Sequence, residues 1–307
     1  MTEFLIGAGG WAYFQVPGLR PLEAYARAFN FVEVNSTFYE VPSLKTVRSW
    51  RRRVPQDFEF SVRCHKNVTH EHKLEPVKEA FSTFKIMTDI CRCLRSRFLV
   101  LETPLSLGFD NKRIESVRNF FESVDAKGIR IVWEVRREKG EPIPSSLVAL
   151  MEDCGIIHCA DFSREDPAMG SDTVYTRVFG KGEHNVYQFT DDELVEVDRK
   201  IISKDRRTAV VSFHNLRMYK DAARYKIYKQ TSRFPPVTRA KGQQSLKEVL
   251  MEDAQFPATK HELIKDQGWK VIDLTEKTRV HASMLLNQLP DREFRTVNEV
   301  LNSLGKE

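Results

Sequence analysis

Eight short runs rich in β-branched and aromatic residues recur between residues 3 and 213, and most intervals between them carry helical periodicity. The runs read as strands at 3–8 (EFLIGA), 31–35, 58–63, 97–101, 129–134, 156–160, 173–178 and 208–213. Helices fit Pro21–Phe29, with Pro in its first turn and Leu22, Tyr25, Ala26 and Phe29 on one stripe, then Leu44–Arg53, Leu74–Leu94 and 111–127, where Phe120 and Val124 are helically spaced. Further helices fit Ser145–Cys154, closed by Gly155, then Thr190–Ile202 and Tyr219–Thr231. Such alternation predicts a parallel sheet. Eight units within about 235 residues predict an α/β fold of the closed (β/α)8 barrel type over an open doubly wound sheet. The interval SREDPAMGSD lacks helical pattern, so one repeat loses its helix.

The second strand and its continuation, FVEVNSTFYEVP at 31–42, is the most informative stretch. Side chains alternate across a strand, so Phe31, Glu33 and Asn35 share one face while Val32 and Val34 share the other. A polar inner face ending in Glu and Asn fits a strand that looks into a site. A surface edge strand with Glu33 in solvent is the plainer alternative, disfavoured because other strands repeat the pattern. Function in such barrels sits at the C-terminal strand ends. Those ends are Gly9, Gly10 and Trp11; Glu33 and Asn35; Arg63 and His65; Glu102 and Thr103; Glu134 and Arg136; Asp161; Arg177; and His214 and Asn215. Nearly every one is charged or an amide.

Residue chemistry then gives candidate roles. Glu33, Glu134 and Asp161 serve either as ligands of a divalent metal, Mg or Mn, or as a general acid and base with one raised pKa. Arg63, Arg136 and Arg177 bind an anionic group or compensate the carboxylates. Internal Glu–Arg pairs that support the barrel are the structural alternative. Trp11, Phe38 and Tyr39 supply aromatic walls, Phe38 fitting buried packing equally well. Asn35 and Asn215 add amide contacts. His65, His70 and His72 look like a metal cluster, but their spacing fits no helix-borne HExxH site.

Several of these segments resemble the YecE-like family, domain of unknown function seventy-two. The resemblance rests on GxGGWxY at 7–13, on EVNSTFY at 33–39 followed by Pro42, Trp50 and Pro55, and on FSVRCHKNVTH at 60–70. EVR at 134–136, Asp161, YTRVFG at 175–180 and FHN at 213–215 extend it over most of residues 1–230. It implies the barrel and the site, attaches no reaction, and favours His70 of the Thr69–His70 pair as a catalytic residue. Three positions depart from the family pattern: Arg63 stands where Lys is usual, Phe179 where His precedes Gly180, and LETP at 101–104 replaces a Gln-x-Pro-Pro-like turn.

Charge and composition narrow the class. The chain is 41% hydrophobic and 30% charged, carries a formal charge of +5, and clusters its cations at 48–55, 92–97 and 204–207. A basic balance favours an anionic ligand, a phosphate or a nucleic acid. No run approaches the roughly 20 apolar residues of a membrane span, and no signal-peptide pattern opens the chain, which predicts a cytoplasmic protein with no membrane partner. Five cysteines without a CxxC pair read as free, buried thiols. The barrel is expected over 1–235, a linker over 236–245 starting at Pro235-Pro236, and a small helical domain over 246–307, with helices at 246–251, 260–267, 276–288 and 296–304 and a capping box from Thr259 to Glu262. The part through LPDREFRTVNEV resembles another small helical domain of unknown function. The combined expectation is a hydrolase cleaving a phosphorylated or nucleic-acid substrate. Its rivals are a sugar isomerase or epimerase and a non-catalytic nucleic-acid-binding module.

Overall fold

The structure, a computed structural model, describes residues 2–305 except Lys139 and Lys204, so the first residue of the basic run at 204–207 lies outside it. Eight parallel strands close into a barrel in chain order: β1 Glu3–Ala8, β2 Phe31–Val34, β3 Glu59–Arg63, β4 Phe98–Thr103, β5 Arg130–Val135, β6 Ile157–Ala160, β7 Thr173–Val178 and β8 Thr208–Phe213, which pairs back onto β1. Between them run α1 Pro21–Ala28, α2 Leu44–Arg52, α3 Lys78–Leu94, α4 Asn111–Ser123, α5 Ser145–Asp153 and α6 Asp191–Ile202, with α7 Met218–Thr231 after β8. The (β/α)8 expectation is met, and β6 joins β7 without a helix as the sequence predicts. Helix α4 stops at Ser123, leaving Val124 as its extended cap.

The strands read as nearly continuous apolar runs because both of their faces are covered. Inward residues Leu5, Phe31, Phe98, Val100, Val132, Ile157, Cys159, Tyr175 and Val210 form one buried cluster, the floor beneath the mouth. Outward residues such as Val32, Val34, Leu99 and Leu101 are equally buried. The helix starts follow local chemistry: Ser43 caps α2 by accepting from Thr46 N at 3.2 Å, and Asp110 caps α4 by accepting from Arg113 N at 2.8 Å. Tyr25 on α1 inserts its hydroxyl between β1 and β2, accepting from Ala8 N at 2.7 Å and donating to Phe31 O at 2.9 Å. Gly7 makes room for this, since a Cβ there would lie 2.6 Å from that hydroxyl.

The chain divides into two compact units. One is built from the chain up to Val178 with Lys200–His214 and holds all eight barrel strands; the other is built from Phe179–Arg199 with the chain from Asn215 onward. The second unit has its own core around Leu246, Val249, Leu263, Ile272, Leu286, Phe294 and Val300. It contains α8 Gln243–Asp253, α9 Lys260–Gln267, α10 Ser283–Leu286 and α11 Val297–Ser303, and the expected Thr259–Glu262 capping box is present. It also contains strands that periodicity missed: β9 Ala258–Thr259 pairs with β12 Glu293–Phe294, and β10 Val271–Asp273 pairs with β11 Arg279–His281. The expected helix at 276–288 therefore begins as a β-hairpin, turned by Leu274 N donating to Thr278 O at 2.9 Å. The stretch read as a linker has a fixed backbone. Val237 N and Thr238 N donate to Asp273 at 2.8 and 2.7 Å, and Arg239 N and Ala240 N to Glu248 at 2.9 and 3.0 Å. Of the five free cysteines, Cys64, Cys91 and Cys159 are buried and Cys93 and Cys154 half-buried. Among the described residues no helix is long and apolar enough to cross a membrane.

Candidate active site at the barrel mouth

Strand register sets the electrostatic problem at the mouth. Glu102 on β4 stands directly opposite Glu134 on β5, and β2 brings Glu33 to the same end of the barrel. Like charges side by side in a sheet repel, and burying them adds a desolvation cost. Arg177 on β7 answers both. Its guanidinium lies 3.2 Å from Glu33 and 2.7 Å from Glu102, and it also hydrogen-bonds Glu134. Two further arginines complete the network: Arg63 donates to Glu102 at 2.7 Å, and Arg136 lies 3.0 Å from Glu102 and 3.6 Å from Glu134. Three carboxylates and three guanidiniums therefore balance.

Each charge state has a physical cause. Burial alone would raise the Glu33 carboxyl, but Arg177 beside it holds it far below the usual carboxylate range. Tyr175 donates to the other Glu33 oxygen at 2.8 Å, while Ser61 pairs with the Tyr175 hydroxyl at 2.7 Å. Glu102 behaves likewise: burial pushes it up, and Arg177, Arg63 and Arg136 outweigh burial and bring it down. His214 is lowered by burial and then by Arg177, so its ring is neutral, and its Nε2 accepts from Arg177 Nε at 3.3 Å. Gly9 is required here, because a Cβ would fall 2.5 Å from His214 Nδ1 and 2.6 Å from Asn35 Nδ2.

The rim is built on the chain that leaves β2 and β3. Thr37 locks the two strand ends together, its hydroxyl reaching Val34 O at 2.8 Å and Arg63 O at 2.6 Å. That turn places Phe38 under the Arg63 guanidinium, 3.9 Å from centroid to Cζ, and edge-on to His70 at 4.9 Å. His70 sits in a one-turn π-helix, Asn67–Glu71, a form often found at functional sites, and the chain then runs through Lys73 and Leu74 at φ 49° and 58°. Thr69 Oγ1 pairs with His70 Nδ1 at 2.9 Å. Burial, with the Arg63 and Arg136 charges, lowers the His70 imidazole below the ordinary 6.5 despite the pull of Glu102. His70 is therefore neutral near pH 7, and it is only partly buried.

Of the candidates, Glu33, Glu134, Arg63, Arg136 and Arg177 converge in this network, with His70 beside it and Trp11, Asn35 and Tyr39 on the loops that follow β1 and β2. Asn35 donates to Gly9 O at 3.1 Å, Trp11 packs edge-on to Trp50 at 5.3 Å, and Tyr39 is exposed. Two candidates are engaged by other partners. Asp161 caps its own loop, accepting from Ser163 N at 2.9 Å and Ser163 Oγ at 2.6 Å, with Arg164 at 3.4 Å. Asn215 is buried, and its amide donates to Tyr187 O at 2.8 Å and to Asp221 at 2.7 Å. The candidate metal set Glu33, Glu134 and Asp161 does not fit a divalent ion, because Arg177, itself a cation, lies between the glutamates while Asp161 turns to its loop. Among the described residues no group of three His, Cys, Asp or Glu side chains is arranged to hold a metal, and His65, His70 and His72 form none. Glu102 and His214, read at the strand ends but given no role, and Tyr175, given none either, belong to the network; their inward parity on β4, β8 and β7 was the available signal.

Comparison with known proteins accounts for the barrel. The family model described as "Protein of unknown function DUF72" matches residues 5–232. The chain belongs to the DUF72 family. The UPF0759 protein YecE of Escherichia coli K12 is 34% identical to it over 67 residues, which are 22% of this chain and 25% of that protein, so the match spans a quarter of that relative's length. Among solved structures, a DUF72 family protein from Thermotoga maritima superposes with a TM-score of 0.59 at 20% identity, covering 74% of this chain and 99% of that one. One from Enterococcus faecalis gives 0.58 at 14% identity, covering 76% and 99%. At these identities the two DUF72 structures share the fold with this chain.

Proposed function

We propose that the barrel mouth is a hydrolytic site for a phosphorylated substrate, a phosphodiester of nucleic acid foremost, working through its own side chains. The observation that carries this reading is the pairing of a neutral, partly exposed His70 with Arg136, whose side chain is 50% exposed, above a buried charge-balanced network. Arg136 is free on its outer side to receive an anion, and Glu102 fixes its direction. Arg63, also bound to Glu102, adds a second positive charge where negative charge grows on phosphorus in the transition state. His70 Nδ1 is engaged by Thr69, which leaves Nε2 to take a proton.

The step balances. A water oxygen bonds to phosphorus, the phosphorus–oxygen bond to the leaving alcohol breaks, and the water proton passes through His70 to the alkoxide. Glu33 and Glu134 act in this reading by holding Arg177 in place, and the buried Glu33 carboxylate, kept ionised by that guanidinium, is a poor proton carrier. Trp11 and Tyr39 flank the substrate.

Turnover of a single-stranded oligonucleotide, bis(p-nitrophenyl) phosphate and sugar phosphates, measured in EDTA, tests the proposal. The wild type should release phosphate ester products, and His70→Asn should lose on the order of 10²–10⁴ in rate, the usual worth of a general base. Isomerised sugar without phosphate release would favour the isomerase reading, and oligonucleotide binding with no turnover of any substrate would favour a binding module; either overturns the hydrolase.

A further inference from the structure

The loops after β1 and β2 and helix α2 carry a surface of which the mouth chemistry uses only Trp11 and Tyr39. Helix α2 reads LKTVRSWRR, and no acidic residue occurs anywhere between Val41 and Gln56. Lys45, Arg48 and Arg52, at spacings of three and four, share one face and are exposed. Among the described residues none of the three is in an ion pair. Arg51 differs, since it turns inward to donate to Phe58 O at 2.7 Å. Like charges at these spacings repel along a helix, so an uncompensated row is a local cost to folding.

Exposed aromatics stand on the loops after β1 and β2, the second of which runs into α2. Tyr13 is 84% and Tyr39 67% exposed, with Val16, Val41 and Leu44 also open to solvent. The edge-on contact of Trp11 with Trp50 ties the β1 loop to α2, and the contact of Tyr39 with Phe38 at 4.9 Å leads on to Arg63 and His70. Cations for phosphates beside aromatic faces for unstacked bases are the recognition chemistry of single-stranded nucleic acid. A duplex would offer phosphates to Lys45, Arg48 and Arg52 but no base faces to Tyr13 and Tyr39. An acidic peptide would likewise leave the tyrosines without a role.

We propose that Lys45, Arg48 and Arg52 with Tyr13 and Tyr39 form a track that binds single-stranded nucleic acid and leads it to the barrel mouth. The proposal rests on the nucleic-acid reading of the mouth and specifies the strand form and its path. Fluorescence anisotropy with a labelled oligonucleotide of about 12 nucleotides, within the range such surfaces cover, tests it at two salt concentrations. The proteins are the wild type, Lys45→Glu/Arg48→Glu/Arg52→Glu and Tyr13→Ala/Tyr39→Ala, each checked by melting temperature. Expected results are tighter binding of single strand than of duplex, a loss of tenfold or more in each variant, and a shallower salt dependence in the charge-reversed one. Unchanged affinity in the charge-reversed variant, equal binding of duplex, or equal competition by poly-glutamate would overturn the track. Because the readout is binding, a track that holds while the wild type cleaves nothing would sink the hydrolase alone, and cleavage with unaltered binding in both variants would sink the track alone.

Discussion

Arg177→Met is the perturbation that exposes how the barrel mouth is held together. Removing the guanidinium leaves Glu102 with Arg63 at 2.7 Å and Arg136 at 3.0 Å, and Glu134 with Arg136 at 3.6 Å. Glu33 is left in a fully buried position with the Tyr175 hydroxyl at 2.8 Å and His214 at 3.6 Å but no guanidinium. Breaking a buried pair so that one charge stays uncompensated costs about 3–5 kcal/mol. In a chain of this size that corresponds to a fall in melting temperature on the order of 10 °C. The sign of the pH dependence should also reverse. In the wild type the Glu33 pKa is depressed, so its contribution is complete above the ordinary 4.5 and is lost only as pH falls through its lower folded value. In the variant the largest opposing charge is gone and burial is countered only by His214 and Tyr175, so that pKa rises and stability should improve as pH falls from 7.5 to 5. Adding Glu33→Gln should return a good part of the loss, because Gln keeps a partner for Tyr175 without the charge. Thermal unfolding of the single and double variants at both pH values decides the matter. A loss below about 1 kcal/mol, the range of an exposed ion pair, or no rescue by Glu33→Gln, would refute the argument.

Three further outcomes follow from the same geometry. The pH–rate profile of the wild type should rise through a midpoint below 6.5, because only neutral His70 accepts a proton and its pKa is lowered; in His70→Asn that limb should vanish. Gly9→Ala should destabilise by about 1–3 kcal/mol in urea unfolding, since its Cβ would meet the buried His214 ring 2.5 Å away. Arg95→Gly should stabilise by roughly 0.5–1 kcal/mol, because Arg95 is the exposed C-cap of α3 at φ 58°, a conformation glycine adopts without strain.

How far the site was legible in the sequence came down to strand parity. Counting by two along β2 and β5 puts Glu33 inward with Phe31 and Glu134 inward with Val132, and the structure agrees. The same count on β4, from Phe98 through Val100, ends at Glu102, and on β7 it places Tyr175 with Arg177. Glu102 was visible but lay in the LETP departure from the family pattern, and a tyrosine inside an apolar strand reads as packing. On β8 the inward series Val210, Ser212 and His214 leaves Asn215 on the other parity, so its amide turns to Asp221. Asp161 has inward parity, but β6 ends at Ala160 and the carboxylate caps the loop instead. Arg177's position among three glutamates was not legible, because it depends on which strands face each other across a closed barrel. In the second unit, Arg279 to His281 pairs as a strand despite its helical spacing, because hairpin pairing with β10 overrides a short periodic pattern.

Hydrolysis of a single-stranded oligonucleotide in ¹⁸O-labelled water, with EDTA present and products read by mass spectrometry, tests the central claim most directly. Water attack on phosphorus predicts one ¹⁸O in the new phosphate terminus for the wild type, and loss of that product in His70→Asn and in Arg136→Ala. Label in the alcohol fragment, a product that needs added metal to form, or full labelling in the His70→Asn variant would contradict the account.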